Sequence, residues 1–215
     1  ALLLLGSCVK LEQKPLDKHF YALEVARPGA ALTTFASPET LLVRRLQVAP
    51  RVSGRELVYR TGNSTWTADF YNLFFVIPAD MLTQDLRSWL GRAGLFANVI
   101  DPSSLVLPGY ILEGNVSALY GDFAPGSGKG PAQAVVEMQF LLLKNTAGER
   151  KVVMTRDIRK TVPLAANTPE ALVLALRQAV TEVNTELETA LREAVSHKLP
   201  TSSAELPQAK PGQHG

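Results

Sequence analysis

The sequence predicts a two-layer α/β domain: a mixed, largely antiparallel sheet with two long helices packed on one face. Three observations predict it. From Pro78 to Ala93, the residues Met81, Leu82, Leu86, Trp89, Leu90 and Ala93 recur at helical spacing and line one side. From Asn167 to Lys198, Leu172, Leu176, Val180, Val183, Leu187, Leu191 and Ala194 follow steps of three and four, a single stripe on a helix of roughly 30 residues, about 45 Å long. Between them, Pro108–Val162 reads as three long strands joined by two turns; in the middle one, Ala134, Val136, Met138, Phe140 and Leu142 keep a period of two. Elements that are apolar on one side only bury that side by stacking in layers.

The composition suits such a core. The chain has 215 residues, 46% hydrophobic and 20% charged, ordinary for a globular domain. A net charge of +2 argues against a dedicated nucleic-acid binder. The cations gather only at Arg44-Arg45 and along Arg150–Lys160, where a strand turning Arg and Lys outward reads as a solvated face. Cys8 is the single cysteine, and His19, His197 and His214 are far apart. Neither an internal disulfide nor a metal ligand set can be assembled from them, and nothing calls for a cofactor. No apolar run reaches the ~18 residues that a bilayer span needs.

The N-terminal residues carry their own signal. Ala1–Ser7 (ALLLLGS) reads as the end of a signal-peptide apolar region. Leu5-Gly6-Ser7-Cys8 has the pattern of a bacterial lipobox: an aliphatic residue, two small residues that let a peptidase reach the bond, and a thiol that accepts lipid. Several acyl chains on one cysteine anchor stably, at about 0.8 kcal/mol per buried CH₂, where a single chain is marginal. The expected organisation is therefore a signal remnant over 1–7, a lipidated tether over 8–18, one α/β domain over 19–199 and a disordered tail over 200–215. The tail is rich in Pro and Gly and poor in apolar residues.

Within the domain, His19–Ala26 alternates as a strand, with Tyr21, Leu23 and Val25 on one side and Phe20 and Ala22 on the other. Arg27–Glu39 reads as a loop, and Leu41–Ala49 as a strand broken by its two arginines. Leu57-Val58-Tyr59 and Trp66, Ala68, Phe70 form a strand pair around a turn at Gly62-Asn63. Pro78 opens the first helix with Asp80 near its positive end, and Gly94 closes it ahead of a strand over Leu95–Ile100. The segment from Pro125 to Pro131 invites a phosphate-loop reading, which fails: Phe123 and Gly130 occupy positions that need Gly and Ser/Thr, and a strand follows instead of a helix. Thr168 and Pro169 start the last helix, which is long enough to overhang a small sheet and offer its far end to a partner.

Catalytic chemistry is not evident: there is no Ser/His/Asp set, paired-carboxylate motif or metal spacing. Cys8 is the lipid acceptor. Tyr59-Arg60 reads either as a recognition pair or as a packed Tyr beside a solvated Arg. Trp66 and Tyr71, with Phe70, read either as the lining of a lipid groove or, as is commoner on strands, as core. Arg55 and Arg60 mark the polar edge of this unit, where charge reversal is expected to weaken partner binding and spare the fold.

Taken together these residues resemble the ABC-type transport auxiliary lipoprotein family, the lipoproteins associated with MCE-domain lipid transport systems. The resemblance is carried by the lipobox at Cys8, the Tyr21-Ala22-Leu23 strand, and Leu46–Pro50 leading to Leu57-Val58-Tyr59-Arg60. The aromatic Trp66–Tyr71 strand, the Pro78 helix with Leu86 and Leu90, and the closing long helix complete it, over about Phe20–Leu199. Leu73-Phe74-Phe75 follow Tyr71 where the family often has Trp. The resemblance implies a periplasmic, non-enzymatic lipoprotein that helps move phospholipid or another hydrophobic substrate between the two membranes. The implied partners are an MCE-domain protein, an ABC permease and ATPase, and the membrane through the anchor, with self-association left open. Val9 after the cysteine, in place of the Asp linked to inner-membrane retention, favours the outer membrane. A structural envelope lipoprotein assisting an outer-membrane assembly and a periplasmic cell-envelope hydrolase remain as alternatives.

Overall fold

The computed structural model describes residues 17–124, 130–146 and 149–196. Cys8, the signal and tether residues up to 16, the segment from 125 to 129 and the tail lie outside the described residues.

Among the described residues nine strands and two helices follow in order: β1 (His19–Tyr21), β2 (Ser37–Val43), β3 (Gln47–Val48), a 3-10 turn (Pro50–Val52), β4 (Glu56–Arg60), β5 (Trp66–Phe74), α1 (Pro78–Arg92), β6 (Phe96–Ile100), β7 (Tyr110–Asp122), β8 (Gln133–Thr146), β9 (Glu149–Pro163) and α2 (Pro169–Ser196). The mixed sheet with two helices expected from the sequence is present, and β7 is its axis. On one side β7 pairs antiparallel with β8, which pairs antiparallel with β9. On the other side it receives three parallel strands end to end: β2 at Leu41↔Tyr110, β3 at Gln47↔Asn115 and β4 at Tyr59↔Gly121. Beyond this line the sheet forks. One wing continues from β2 to β6; the other runs from β4 through antiparallel β5 to β1, a three-residue edge strand parallel to β5. The long ladders are thus antiparallel, and the parallel pairings are short.

Both helices lie on one face. Strand register fixes which side chains they cover: Met138 opposes Ile158 and Leu142 opposes Met154, all buried beneath α2. Arg156 and Lys160 alternate with them on that face and reach Glu193 and Glu186 of α2. Arg159 points to the other face, where it meets Glu137. The basic residues of this strand therefore divide between two faces, where the sequence suggested one. α2 keeps its stripe buried from Leu172 through Val195, so its far end packs and does not overhang. Each such aliphatic residue contributes about 1.5–3 kcal/mol.

α1 covers β2, β3 and β6 with Met81, Leu82, Leu86, Trp89 and Leu90. Asp80 stands in its first turn and Arg92 in its last, each matching the helix dipole. Gly94 has φ +60°, and a Cβ there would sit 2.6 Å from the Thr34 carbonyl oxygen, so only glycine ends the helix here. Gly114 lets Leu46 and Phe140 close over β7. The two helices are tied by a carboxylate. Glu188 accepts from Arg27 Nε at 2.9 Å, Trp89 Nε1 at 2.9 Å and Arg192 at 3.1 Å. Burial by itself raises this carboxyl, but Arg27 and Trp89 outweigh it and leave it below the usual range.

Two strands are shorter than expected. β1 stops at Tyr21 because the backbone beyond it bonds to helix side chains: Arg177 donates to the Leu23 carbonyl and Val25 N–H donates to Asp85. Leu23 and Val25 are nonetheless fully buried. The Leu41–Ala49 strand is two pieces, parted at Arg44–Leu46, where Leu46 N–H donates to Thr83 Oγ1 of α1 instead of to a strand.

Candidate functional site

The β4–β5 pair, with β1 at its edge, holds five of the residues singled out from sequence. The turn at Gly62-Asn63 closes with Thr61 N–H donating to the Thr65 carbonyl. The pair presents two faces and an edge.

Tyr59 lies on the helix face. Its ring meets Phe123 edge-on at 5.3 Å and its hydroxyl donates to Asp69 Oδ2 at 2.9 Å. Asp69 also accepts from the Tyr71 and Asn72 backbone N–H groups and the Asn72 side-chain amide. Burial pushes the Asp69 carboxyl up, yet these donors together hold it below its ordinary value. Burial and the Asp69 charge push the Tyr59 phenol up. Tyr21 completes the chain of contacts, 2.9 Å from Asn72 Oδ1 and 2.7 Å from Glu170 Oε1 at the start of α2. Burial, followed by Glu170, raises its phenol to about 12. An open hollow of about 330 Å³ lies here, bounded by Tyr59, Asp69, Phe123 and Thr168. Every acceptor on Asp69 is engaged, so the network braces β5, through Asn72 and Tyr21, against the start of α2.

Arg60 and Trp66 are cross-strand partners on the opposite, helix-free face. Arg60 clasps Asp122 through two nitrogens and reaches the Ala124 carbonyl. Burial raises the Asp122 carboxyl; the Arg60 guanidinium and the Ala124 N–H outweigh it and keep it low. Trp66 stacks edge-on against Tyr120 at 4.7 Å with the Arg51 guanidinium 5.0 Å from its ring. Arg60 is therefore a structural ion pair with a buried carboxylate, and reversing its charge would set two carboxylates together. The expectation that such a reversal spares the fold is corrected for Arg60.

The edge carries the surprise. Phe70 and Tyr71 are about half exposed, at 54% and 47%, and Phe75 is 67% exposed. The reading of Phe70 and Tyr71 as core is thereby corrected: the turn of backbone that Asp69 pins sends both outward. Phe20, half exposed on β1, meets Phe75 edge-on at 6.3 Å, and Phe70 meets Tyr71 at 5.3 Å. Lys18 Nζ sits 4.0 Å from the Phe70 ring centre, and Arg55 lies 5.2 Å from that of Phe20 while donating to the Phe74 carbonyl. Sequence reasoning gathered Arg55 and Tyr71 but missed Lys18, Phe20 and Phe75. One signal was available: Phe74 and Phe75 are adjacent at a strand end, so a period of two sends one of them out.

Among the described residues no group of three or more His, Cys, Asp or Glu is placed to hold a metal ion, and no helix is long and apolar enough to cross a membrane.

A two-layer α/β domain with a braced strand pair and an exposed aromatic edge is the class of protein that these features define. The sequence matches the ABC-type transport auxiliary lipoprotein component over residues 21–188, and the chain belongs to that family. Among solved structures it is similar to protein XCC0632 from Xanthomonas campestris, at 20% identity and a TM-score of 0.67, over 83% of this chain and 98% of that one. It is also similar to an uncharacterized protein, at 16% identity and a TM-score of 0.60, over 80% of this chain and 97% of that one. These likenesses concern the fold. No curated protein matches the chain.

Proposed function

We propose that this chain is a lipid-anchored periplasmic accessory of an MCE-type ABC transport system that moves phospholipid or another hydrophobic substrate between the inner and outer membranes. Its role is to bind and scaffold, not to catalyse. The observation that carries the reading is the family match over residues 21–188 downstream of Leu5-Gly6-Ser7-Cys8. Cys8 receives the lipid, and Val9 directs the anchor to the outer membrane. The partners are an MCE-domain protein and the permease and ATPase of the same system. Of the residues singled out at the start, Arg55 and Tyr71 supply contact surface, while Tyr59, Arg60 and Trp66 hold the strand pair that presents it.

Mass spectrometry of membrane-extracted protein should find acyl chains on Cys8, and Cys8→Ala should release the chain into the periplasm. The wild-type protein should copurify with an MCE-domain protein. An unacylated native chain would remove the anchor from this reading; the absence of any MCE or permease partner would remove the transport role.

A further inference from the structure

We propose that the aromatic edge formed by β1 and β5 is a second membrane contact, a strip that settles into the headgroup region of the bilayer holding the anchor. The proposal rests on the anchored-lipoprotein reading for its placement beside a membrane. Its own support is the strip itself.

The strip consists of two ring clusters, one around Phe70 and one around Phe75, that meet along β1. Lys18 immediately precedes β1, and the two-residue period places it on the side of Phe20. Lys18 lies over Phe70, Phe70 touches Tyr71, and Phe20 touches Phe75 beside Arg55. Four aromatic rings between about half and two-thirds exposed, interleaved with two cations, form a surface that is apolar in bulk and positive at its margins. That combination suits the bilayer interface: rings sit at headgroup depth, and Lys and Arg meet anionic phosphates. Nothing in the fold requires the rings outside. The same strand buries Leu73 and Phe74, so its outward side was free to be polar.

Position selects the bilayer over a protein as the occupant. β1 is the strand that the N-terminal segment feeds directly, so the strip lies at the root of the tether. From Cys8 to Lys18 the chain has ten steps, which extend to at most roughly 35 Å. A lipid on Cys8 therefore keeps the strip within reach of the surface in which the lipid is buried.

The test uses the full chain carrying Cys8→Ser, so that no acyl group contributes, and vesicles of phosphatidylethanolamine and phosphatidylglycerol. The Cys8→Ser chain should cosediment with the vesicles, less so as salt is raised. Adding Phe70→Ser and Phe75→Ser should lower the partition coefficient at least tenfold, Phe75→Ser alone several-fold, and Lys18→Glu several-fold with a shallower salt dependence. Tryptophan placed by Phe75→Trp should be quenched by brominated lipid. Several results would overturn the proposal: equal partition of all variants, no partition of any, or an unquenched Trp at position 75. The same holds if the serine variants abolish capture of a partner protein and leave vesicle partition unchanged. Acylation of Cys8, read separately by mass spectrometry, decides the anchor and leaves this result untouched.

Discussion

The two wings of the forked sheet treat their apolar residues in opposite ways. In the β2–β6 wing Leu41, Val43 and Phe96 are fully buried under α1, and Tyr110 packs on Phe96. In the β4–β5–β1 wing Leu57 and Phe74 are buried, yet Phe20, Phe70, Tyr71 and Phe75 are exposed on the same few strands. Apolar groups in the first wing stabilise the fold; the exposed rings of the second are available for something else. Aromatic content alone does not separate the two. What separates them is place: the first set is buried within the sheet's core, while the exposed rings of the second sit at the β1–β5 edge.

The contrast can be broken most forcefully in the first wing. Leu41→Ala should cost about 3 kcal/mol, through lost transfer energy and the cavity left under α1, visible as a lower urea midpoint at unchanged slope. Glu188→Ala should cost about 3 kcal/mol, because it strips a partner from Arg27, Trp89 and Arg192 where the layers meet. Asp122→Asn should cost about 2 kcal/mol at pH 7 by loosening the Arg60 clasp that fixes β4 to β7.

The same residue sharpens the comparison through pH. The Asp122, Asp69 and Glu188 carboxyls are all held below their ordinary values in the fold. The unfolded chain binds protons more readily at these groups, so their stabilisation is complete above about pH 4 and is lost as pH falls through the lower folded values. Urea midpoints measured from pH 6 to pH 2 should fall below about pH 4, and Asp122→Asn should flatten part of that fall. At the small end, Phe75→Ser should change stability by less than about 0.5 kcal/mol, since the ring is already two-thirds in water. A large loss there would mean that the second wing needs its rings for folding after all.

Much of this architecture was legible because it follows from periodicity. The stripes on α1 and α2, the meander of β7, β8 and β9, and the turn at Gly62-Asn63 each depend on residues close in sequence. What was not legible depends on distant partners. Leu23 and Val25 keep a strand's alternation but lie outside the sheet, because Arg177 and Asp85, far along the chain, take their backbone groups. Arg60 looks solvated in sequence until Asp122 arrives from β7. Phe70 and Tyr71 carry the composition of core residues, and only the backbone turn pinned by Asp69 turns them outward. For the candidate site, sequence gathered residues of one strand pair and did not separate the packed side chains, Tyr59, Arg60 and Trp66, from the exposed Phe70 and Tyr71.

The single edge of β7 along which β2, β3 and β4 line up also sets an order of assembly. Before residues 110–122 leave a ribosome or a translocation pore, β2 has no partner until β6 appears, and β4 can pair only with β5, which in turn takes β1. These are two separate islands that share no ladder. Tyr59 waits for Gly121, sixty-odd residues later, and Leu41 waits for Tyr110. Contacts this distant are slow to close, so the first half of the chain must remain unjoined, with strand edges open, until the second half supplies the strand that unites it. A chain wired in this way stays threadable for as long as β7 is withheld.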